Sequence, residues 1–261
     1  MTLAERTINT GEFVKTSIDG FVGTLRLHRP PVNALNQALG AELVDAIEAL
    51  EATDVRAVIL TGGERMFSAG FDIKQLERSE PTDAIGRNRR MYRVYRSVEQ
   101  ARFPVIAAIN GYAVGGSCQL VLACDFRIMA ADAFLSWPEI DLAGLAPMQR
   151  LVRTIGYGHA RRLVYTAARC YGEEAFRLGL ADVLAEPGQA IPLARRYAEL
   201  IAEKPTHVVE AGKRAMSMGV EVPLAAAQLA ELAHAGEIAG SPIRGHQLTG
   251  FSHGAVTASG N

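Results

Sequence analysis

The chain has 261 residues and a formal net charge of −1, with 27 Lys and Arg against 28 Asp and Glu. Hydrophobic residues make up 49% and charged residues 21%, which excludes a disordered chain and supplies a sizeable core. A near-neutral charge excludes a non-specific binder of nucleic acid or of anionic membranes. We therefore expect one large globular domain, or one domain with an appendage.

Cysteine usage and the N-terminal segment indicate the compartment. Cys118, Cys124 and Cys170 are too few and too scattered for a disulfide framework or a four-ligand zinc site, so no metal is expected. Residues 1–13 lack the apolar stretch of a secretory signal, and no stretch approaches the ~18 apolar residues of a membrane span. These features predict a cytoplasmic protein that binds no membrane.

The N-terminal quarter predicts a hairpin followed by a helix. Alternating apolar and polar residues over 13–27 flank Asp19-Gly20, which is a strong hairpin signal. After the break at Pro30-Pro31, apolar residues recur at helical spacing and predict an amphipathic helix over 36–52.

The middle of the chain alternates between the two element types. The helix over 84–100 is heavily charged, so we expect it to lie on the surface. Alternation of strands and helices is typical of βαβ units and predicts an α/β fold. The predicted elements are strands at 55–60, 104–109 and 126–130, and helices over 84–100 and from Gly115 to about Asp125.

The C-terminal third is predicted to be mostly helical from about residue 158, with one short strand at 182–185. Residues 224–239 form a helix of low polarity, which must pack on the core or on another subunit. The Gly- and Ser-rich tail after Ser241 is predicted to be loose.

Two loops of small residues leave the ends of predicted strands. Residues 67–72 (Phe-Ser-Ala-Gly-Phe-Asp) follow the strand at 55–60, and residues 110–119 follow the strand at 104–109 and run into a helix. Small residues let a ligand approach the backbone, and a helix N-terminus offers unpaired N–H groups. Together the loops could aim two N–H groups at one carbonyl oxygen, which would form an oxyanion hole. From the residues alone, ordinary tight turns are an equal alternative.

These loops, together with Trp137-Pro138-Glu139-Ile140 and Gln149-Arg150-Leu151, resemble the enoyl-CoA hydratase/isomerase (crotonase) superfamily over about residues 10–215. The resemblance implies a spiral of ββα units over residues 1–200 and a helical trimerisation region over 201–261. It also implies an acyl-CoA thioester substrate, a homotrimer or dimer of trimers, and no separate cofactor, because coenzyme A is part of the substrate.

The resemblance also implies a set of binding residues. It places the oxyanion-hole donors at the backbone N–H groups of Ala69 and Gly116. The residues expected to contact coenzyme A or the acyl group are Val32, Ala34, Ala69, Gly70, Phe71, Asp72, Ile73 and Gly116.

The proton chemistry depends on two positions at which hydratases of this superfamily carry glutamates. Glu139 matches the second, but Gln119 occupies the first. An amide holds a water molecule but takes no proton from it at neutral pH, so Gln119 is expected only to position water or substrate. A single carboxylate suffices to move a double bond. The residues therefore favour isomerisation slightly over hydration, and the segment 144–148 is also closer to the isomerase pattern.

Two alternatives remain open: a non-catalytic acyl-CoA binder, and a thioester or carbon–carbon hydrolase that uses a water molecule or Ser117. Relatives often hold the coenzyme A phosphates with a lysine near the C-terminus, but the last lysine here is Lys213. Arg150 and Arg153 are candidates for that contact, although a solvated helix face is the simpler role for both.

Overall fold

The structure, a computed structural model, describes residues 6–77, 80, 83–145, 148–220 and 222–240. The chain divides into two compact units between Glu203 and Lys204. The tail after Ser241 and residues 146 and 147 of the segment 144–148 lie outside the described residues.

The first unit is built on a seven-stranded sheet that contains the predicted hairpin and the buried strands. Its strand order is β1-β2-β3-β4-β5-β7-β10, antiparallel from β1 to β3 and parallel from β3 onward. The strands are β1 (Arg6–Thr10), β2 (Val14–Asp19), β3 (Val22–Leu27), β4 (Ala57–Thr61), β5 (Val105–Ile109), β7 (Phe126–Ala130) and β10 (Val183–Ala185). Every residue of β4 and β5 is buried, as expected for parallel strands covered on both faces.

A second, three-stranded sheet was not predicted. It has the order β6-β8-β9, formed by β6 (Tyr112–Val114), β8 (Phe134–Ser136) and β9 (Cys170–Tyr171). Strands of two or three residues are too short to show a period-2 pattern, so the sequence gives no signal for them. Isolated bridges join Leu35 to Phe71 and Ser68 to Ala113. Strands β3, β4, β5 and β7 thus each lead into a short pairing segment and then a helix, which gives the expected ββα spiral.

The helices predicted over 36–52, over 84–100 and from Gly115 are present, but the C-terminal helices begin at Gln149 and not at about residue 158, and the short helix Ile73–Glu77 was not predicted. Those of the first unit are α1 (Gln37–Glu51), α2 (Ile73–Glu77), α3 (Ala84–Gln100), α4 (Gly116–Leu122), α5 (Gln149–Thr166), α6 (Gly172–Leu178) and α7 (Ala190–Ala202). Asn36 caps α1 by accepting from the Leu39 N–H at 2.8 Å. The predicted apolar face of α1, from Leu39 to Leu50, is buried.

Helix α3 differs from the prediction in one respect. Its charged residues face outward as expected, but Met91, Val94, Tyr95 and Val98 are buried in the core. The high charge of this helix did not indicate its buried face. Four apolar residues at helical spacing are enough to bury one face of a helix that is otherwise polar.

The second unit contains α8 (Thr206–Gly219) and α9 (Leu224–Ala239), which pack on each other. Helix α9 leaves Leu224, Leu229 and Leu232 exposed. Among the described residues, no helix is both long and apolar enough to cross a membrane.

Candidate active site

Almost every backbone N–H group of the loop over 67–72 donates a hydrogen bond to another group of the protein. Ala69 N–H donates to the Val32 carbonyl at 3.0 Å, and Gly70 N–H donates to the Ser68 hydroxyl at 3.1 Å. Asp72 N–H donates to the Leu35 carbonyl at 3.0 Å. Phe71 N–H has no acceptor among the described residues.

The hydrogen bonds of this loop contradict one prediction made from the sequence. Ala69 was predicted to donate its N–H to a bound carbonyl, but that N–H is already hydrogen-bonded within the protein. Phe71, two residues later, has the available donor. The residue implied by the family resemblance was placed two positions too early, because a loop that pairs with a neighbouring segment alternates inward and outward N–H groups and sequence alone does not fix the phase of that alternation.

The N-terminus of α4 supplies the second available donor. Gly116 is the first residue of α4, and its N–H has no acceptor among the described residues. The two loops touch here, since a Cβ built on Gly70 would lie 3.5 Å from the Gly116 nitrogen and 2.3 Å from the Val114 carbonyl oxygen. Only glycine permits this approach at position 70, where φ is +85°.

Ser117 holds the two loops together and is no candidate nucleophile. Its buried hydroxyl accepts from the Val114 N–H at 2.8 Å and lies 2.9 Å from the Ser68 carbonyl oxygen. A hydroxyl that is fully engaged with backbone groups and shielded from solvent cannot attack a substrate. The hydrolase alternative through Ser117 is therefore wrong.

Glu139 lies directly beside Gly115, the residue before α4. It sits on a short 3₁₀ turn, Pro138–Leu142, that follows the fully buried Trp137. A Cβ on Gly115 would lie 2.5 Å from Glu139 Oε1, so the carboxylate approaches the backbone where no side chain intervenes. Both of its oxygens are buried without a hydrogen-bond partner among the described residues. Burial raises the pKa of Glu139 above its ordinary value.

Gln119 lies in the first two turns of α4 and is buried, with 1% of its surface exposed. Its Nε2 atom has no partner among the described residues. Buried polar groups without partners are rare in folded proteins and are typical of sites that bind a ligand or water. Gln119 and the Glu139 carboxylate are therefore two polar groups whose missing hydrogen bonds a ligand or water molecule could supply.

A supporting network behind α4 was missed by the sequence analysis. The buried Tyr95 hydroxyl donates to the Gly116 carbonyl at 2.9 Å, which fixes the first turn of α4. Arg150 lies over the Tyr95 ring, 5.4 Å from its centroid, and forms a bidentate ion pair with Glu99. Arg150 is thus engaged within the protein, whereas Arg153 is exposed. Tyr95 shows no motif in the sequence, and only its position on the buried face of α3 could have indicated it.

The two predicted coenzyme A segments are brought together. Leu35 N–H donates to the Gly70 carbonyl at 2.7 Å, so residues 32–35 lie alongside residues 69–72. Arg29 forms a 2.6 Å ion pair with Asp72 and donates to the Ala34 carbonyl, which ties the segments at their ends. Val32 and Ala34 are half-buried, and the side chain of Ile73 is exposed.

Comparison with known proteins identifies the family. The enoyl-CoA hydratase/isomerase family model matches residues 17–239. A crotonyl-CoA hydratase of Syntrophomonas wolfei is 35% identical over 209 residues, covering 78% of this chain and 80% of the relative. A short-chain-enoyl-CoA hydratase of Clostridium acetobutylicum is 33% identical and covers 89% of this chain and 92% of the relative.

Solved structures agree with this result. The crystal structure of an enoyl-CoA hydratase from Bacillus anthracis superposes with a TM-score of 0.88 at 33% identity, covering 92% of this chain and 96% of that one. The chain therefore belongs to the enoyl-CoA hydratase/isomerase family of the crotonase superfamily.

Proposed function

We propose that the protein is an enzyme that transforms unsaturated acyl-CoA thioesters, with the thioester oxygen bound by the N–H groups of Phe71 and Gly116. The observation that carries this proposal is the pair of available backbone donors next to a buried, unpartnered carboxylate. Two donors that meet one carbonyl oxygen stabilise the enolate that forms when the adjacent carbon loses a proton. Each such donor typically contributes roughly 2.7–4 kcal/mol to transition-state stabilisation.

Glu139 is the proposed proton carrier. Its carboxylate removes a proton from C2 of a 3-enoyl-CoA, and the electron pair of the C2–H bond delocalises onto the thioester oxygen as a dienolate. The protonated Glu139 then returns the proton to C4, which moves the double bond from C3–C4 to C2–C3. A carboxyl group with a raised pKa suits both steps, because its carboxylate is a stronger base and its acid form can return the same proton to C4.

Isomerisation is favoured slightly over hydration, and this preference rests on Gln119. Hydration needs a base for the water and an acid for C2, whereas the described site offers one carboxylate and one amide. The hydratase names of the relatives favour the other reaction. A cytoplasmic location and a trimer or hexamer are part of the same proposal, and coenzyme A is expected to enter only with the substrate.

The test is product analysis by mass spectrometry after separate incubation with a 2-enoyl-CoA and a 3-enoyl-CoA. Conversion of the 3-enoyl substrate to its 2-enoyl isomer supports the one-carboxylate mechanism. Addition of water to the 2-enoyl substrate would show that Gln119 does not prevent hydration. Absence of both products, with tight binding of the thioesters, would establish the non-catalytic binder instead.

The Glu139→Gln variant tests the mechanism itself. We expect loss of isomerisation with retention of acyl-CoA binding, because the amide keeps the shape of the site and removes the base. Full activity in this variant would refute the assignment of Glu139.

A further inference from the structure

The ring of Phe71 forms a wall beside the proposed oxyanion hole. A Cβ built on Gly116 would lie 2.7 Å from Cε2 and 2.8 Å from Cζ of Phe71. The ring therefore packs against the Gly116 backbone, next to the N–H that would bind the thioester oxygen. The ring is partly buried and packs against the hydrophobic core.

The same residue lines a groove on the surface of the first unit. The groove is small and partly open to solvent. Leu35 and Met91, which are 2% and 5% exposed, line it together with Phe71, and its other lining residues are polar or charged, Arg87 and Arg90 among them. The three apolar side chains can contact an alkyl chain whose far end reaches solvent.

We propose that Phe71 is a specificity-determining residue whose ring closes the acyl site toward this groove and restricts the protein to short acyl chains. The inference rests on the proposed function and names its substrate class. Because the ring contacts Gly116 and also lines the groove, an acyl chain that extends from the oxyanion hole in this direction meets the ring. Removal of the ring atoms connects the acyl site to the groove.

Affinity for saturated acyl-CoA thioesters tests this inference without turnover. Each buried methylene is worth about fourfold in affinity. We expect the wild-type protein to bind decanoyl-CoA no more tightly than butanoyl-CoA in calorimetry. An affinity in the wild-type protein that rises about fourfold per added methylene would overturn the proposal, whatever the variants show.

Substitutions of Phe71 then test whether its ring causes the limit on acyl-chain length. Phe71→Ala should raise the ratio of decanoyl-CoA to butanoyl-CoA affinity by about tenfold or more, and Phe71→Leu should raise it less. The backbone N–H at position 71 is present in both variants. Phe176→Ala, the same change at an exposed position of α6, is the matched control and should leave the ratio unchanged.

A second substitution distinguishes an effect of the groove from an effect of general loosening of the acyl site. Phe71→Ala combined with Met91→Phe refills the groove and should cancel most of the gain. A folded Phe71→Ala variant with an unchanged ratio would contradict the proposal. If the wild-type protein converts no enoyl-CoA of any length, the proposed function fails, while the affinity ratios still decide the role of Phe71.

Discussion

At the scale of single residues, the site is defined by polar groups that the fold leaves without partners. Gln119 and the carboxylate oxygens of Glu139 are buried, and neither the carboxylate nor the amide nitrogen has a hydrogen-bond partner among the described residues. Burial of such groups costs stability, so a protein retains them where a ligand supplies the missing contacts. These two groups are therefore expected to lower the stability of the unliganded protein while remaining available to a substrate.

Glu139→Gln is expected to stabilise the unliganded protein near neutral pH. The folded-state pKa of Glu139 is raised, so the folded protein binds more protons than the unfolded chain, and stability falls as pH rises through the interval above about 4.5. The amide of the Glu139→Gln variant does not ionise, so the variant avoids this loss of stability with rising pH. Thermal unfolding at pH 7.5 should show a higher Tm for the variant, by ~2–4 °C per kcal/mol of relieved cost.

The gain in Tm should disappear at pH 4, where the carboxyl is protonated in both states. Glu186→Gln, at an exposed position, is the control and should change Tm at neither pH. A gain of equal size at both values would show that the effect of Glu139→Gln does not come from its ionisation.

Gln119→Glu tests the missing second carboxylate. If only this group separates the protein from a two-carboxylate hydratase, hydration of a 2-enoyl-CoA should rise at least about a hundredfold, which is the low end of general-base catalysis. The measurement is the rate of loss of enoyl-thioester absorbance. The matched control is Gln119→Leu, which removes the amide without adding a base. A rate that stays at the wild-type level in Gln119→Glu would mean that other residues limit hydration.

At the scale of elements, the geometry depends on glycines where two loops meet. Gly115 has a φ of +57° and faces the Glu139 carboxylate, and Gly116 faces the Phe71 ring. A side chain at either position would push a functional group out of place. The short α4 helix is in turn held by Tyr95 and Ser117.

Gly115→Ala should lower both stability and activity. The left-handed backbone costs about 1 kcal/mol or more for a residue with a Cβ. The added Cβ would also lie 2.5 Å from Glu139 Oε1, so the carboxylate must move. We expect a lower Tm in thermal unfolding and a fall in kcat of about tenfold or more, since small displacements of catalytic groups are costly.

The matched control for this change is Gly212→Ala. Gly212 lies in the middle of α8, and a Cβ there would meet nothing within 4 Å. Alanine should stabilise this helix by about 0.5–1 kcal/mol without changing kcat. A Gly115→Ala variant that behaves like Gly212→Ala would refute the close packing of Glu139 on the backbone.

At the scale of the whole molecule, the second unit carries apolar surface that its own two helices do not cover. Leu224, Leu229 and Leu232 of α9 are each about two-thirds or more exposed. Leucines concentrated on one exposed helix are typical of surfaces that pack against another chain. This observation supports the predicted trimer or dimer of trimers.

The oligomer is tested by light scattering coupled to size-exclusion chromatography. We expect a mass of three or six times that of one chain for the wild-type protein. Leu229→Glu combined with Leu232→Glu should shift the mass toward one chain, because two charges oppose burial of that face. Leu200→Glu, the same change at an exposed position of α7 in the first unit, is the control and should leave the mass unchanged. A wild-type protein of single-chain mass would contradict the prediction.

The sequence by itself determined most of the element order. The hairpin around Asp19-Gly20, the helix over 37–51 and the buried strands at 57–61 and 105–109 follow from turn chemistry and apolar periodicity, which are local properties. Glu139 and Gln119 were also identified as candidates from sequence, through the resemblance to a family.

Only the tertiary structure decided which groups are available for chemistry. The N–H of Ala69 is used by Val32 and that of Phe71 is not, a distinction set by pairing between segments about 35 residues apart. The hydroxyl of Ser117 and the ring of Tyr95 acquire their roles in the same way. Hydrogen-bond partners and burial are long-range properties, since each depends on where distant parts of the chain meet, and no local pattern records them.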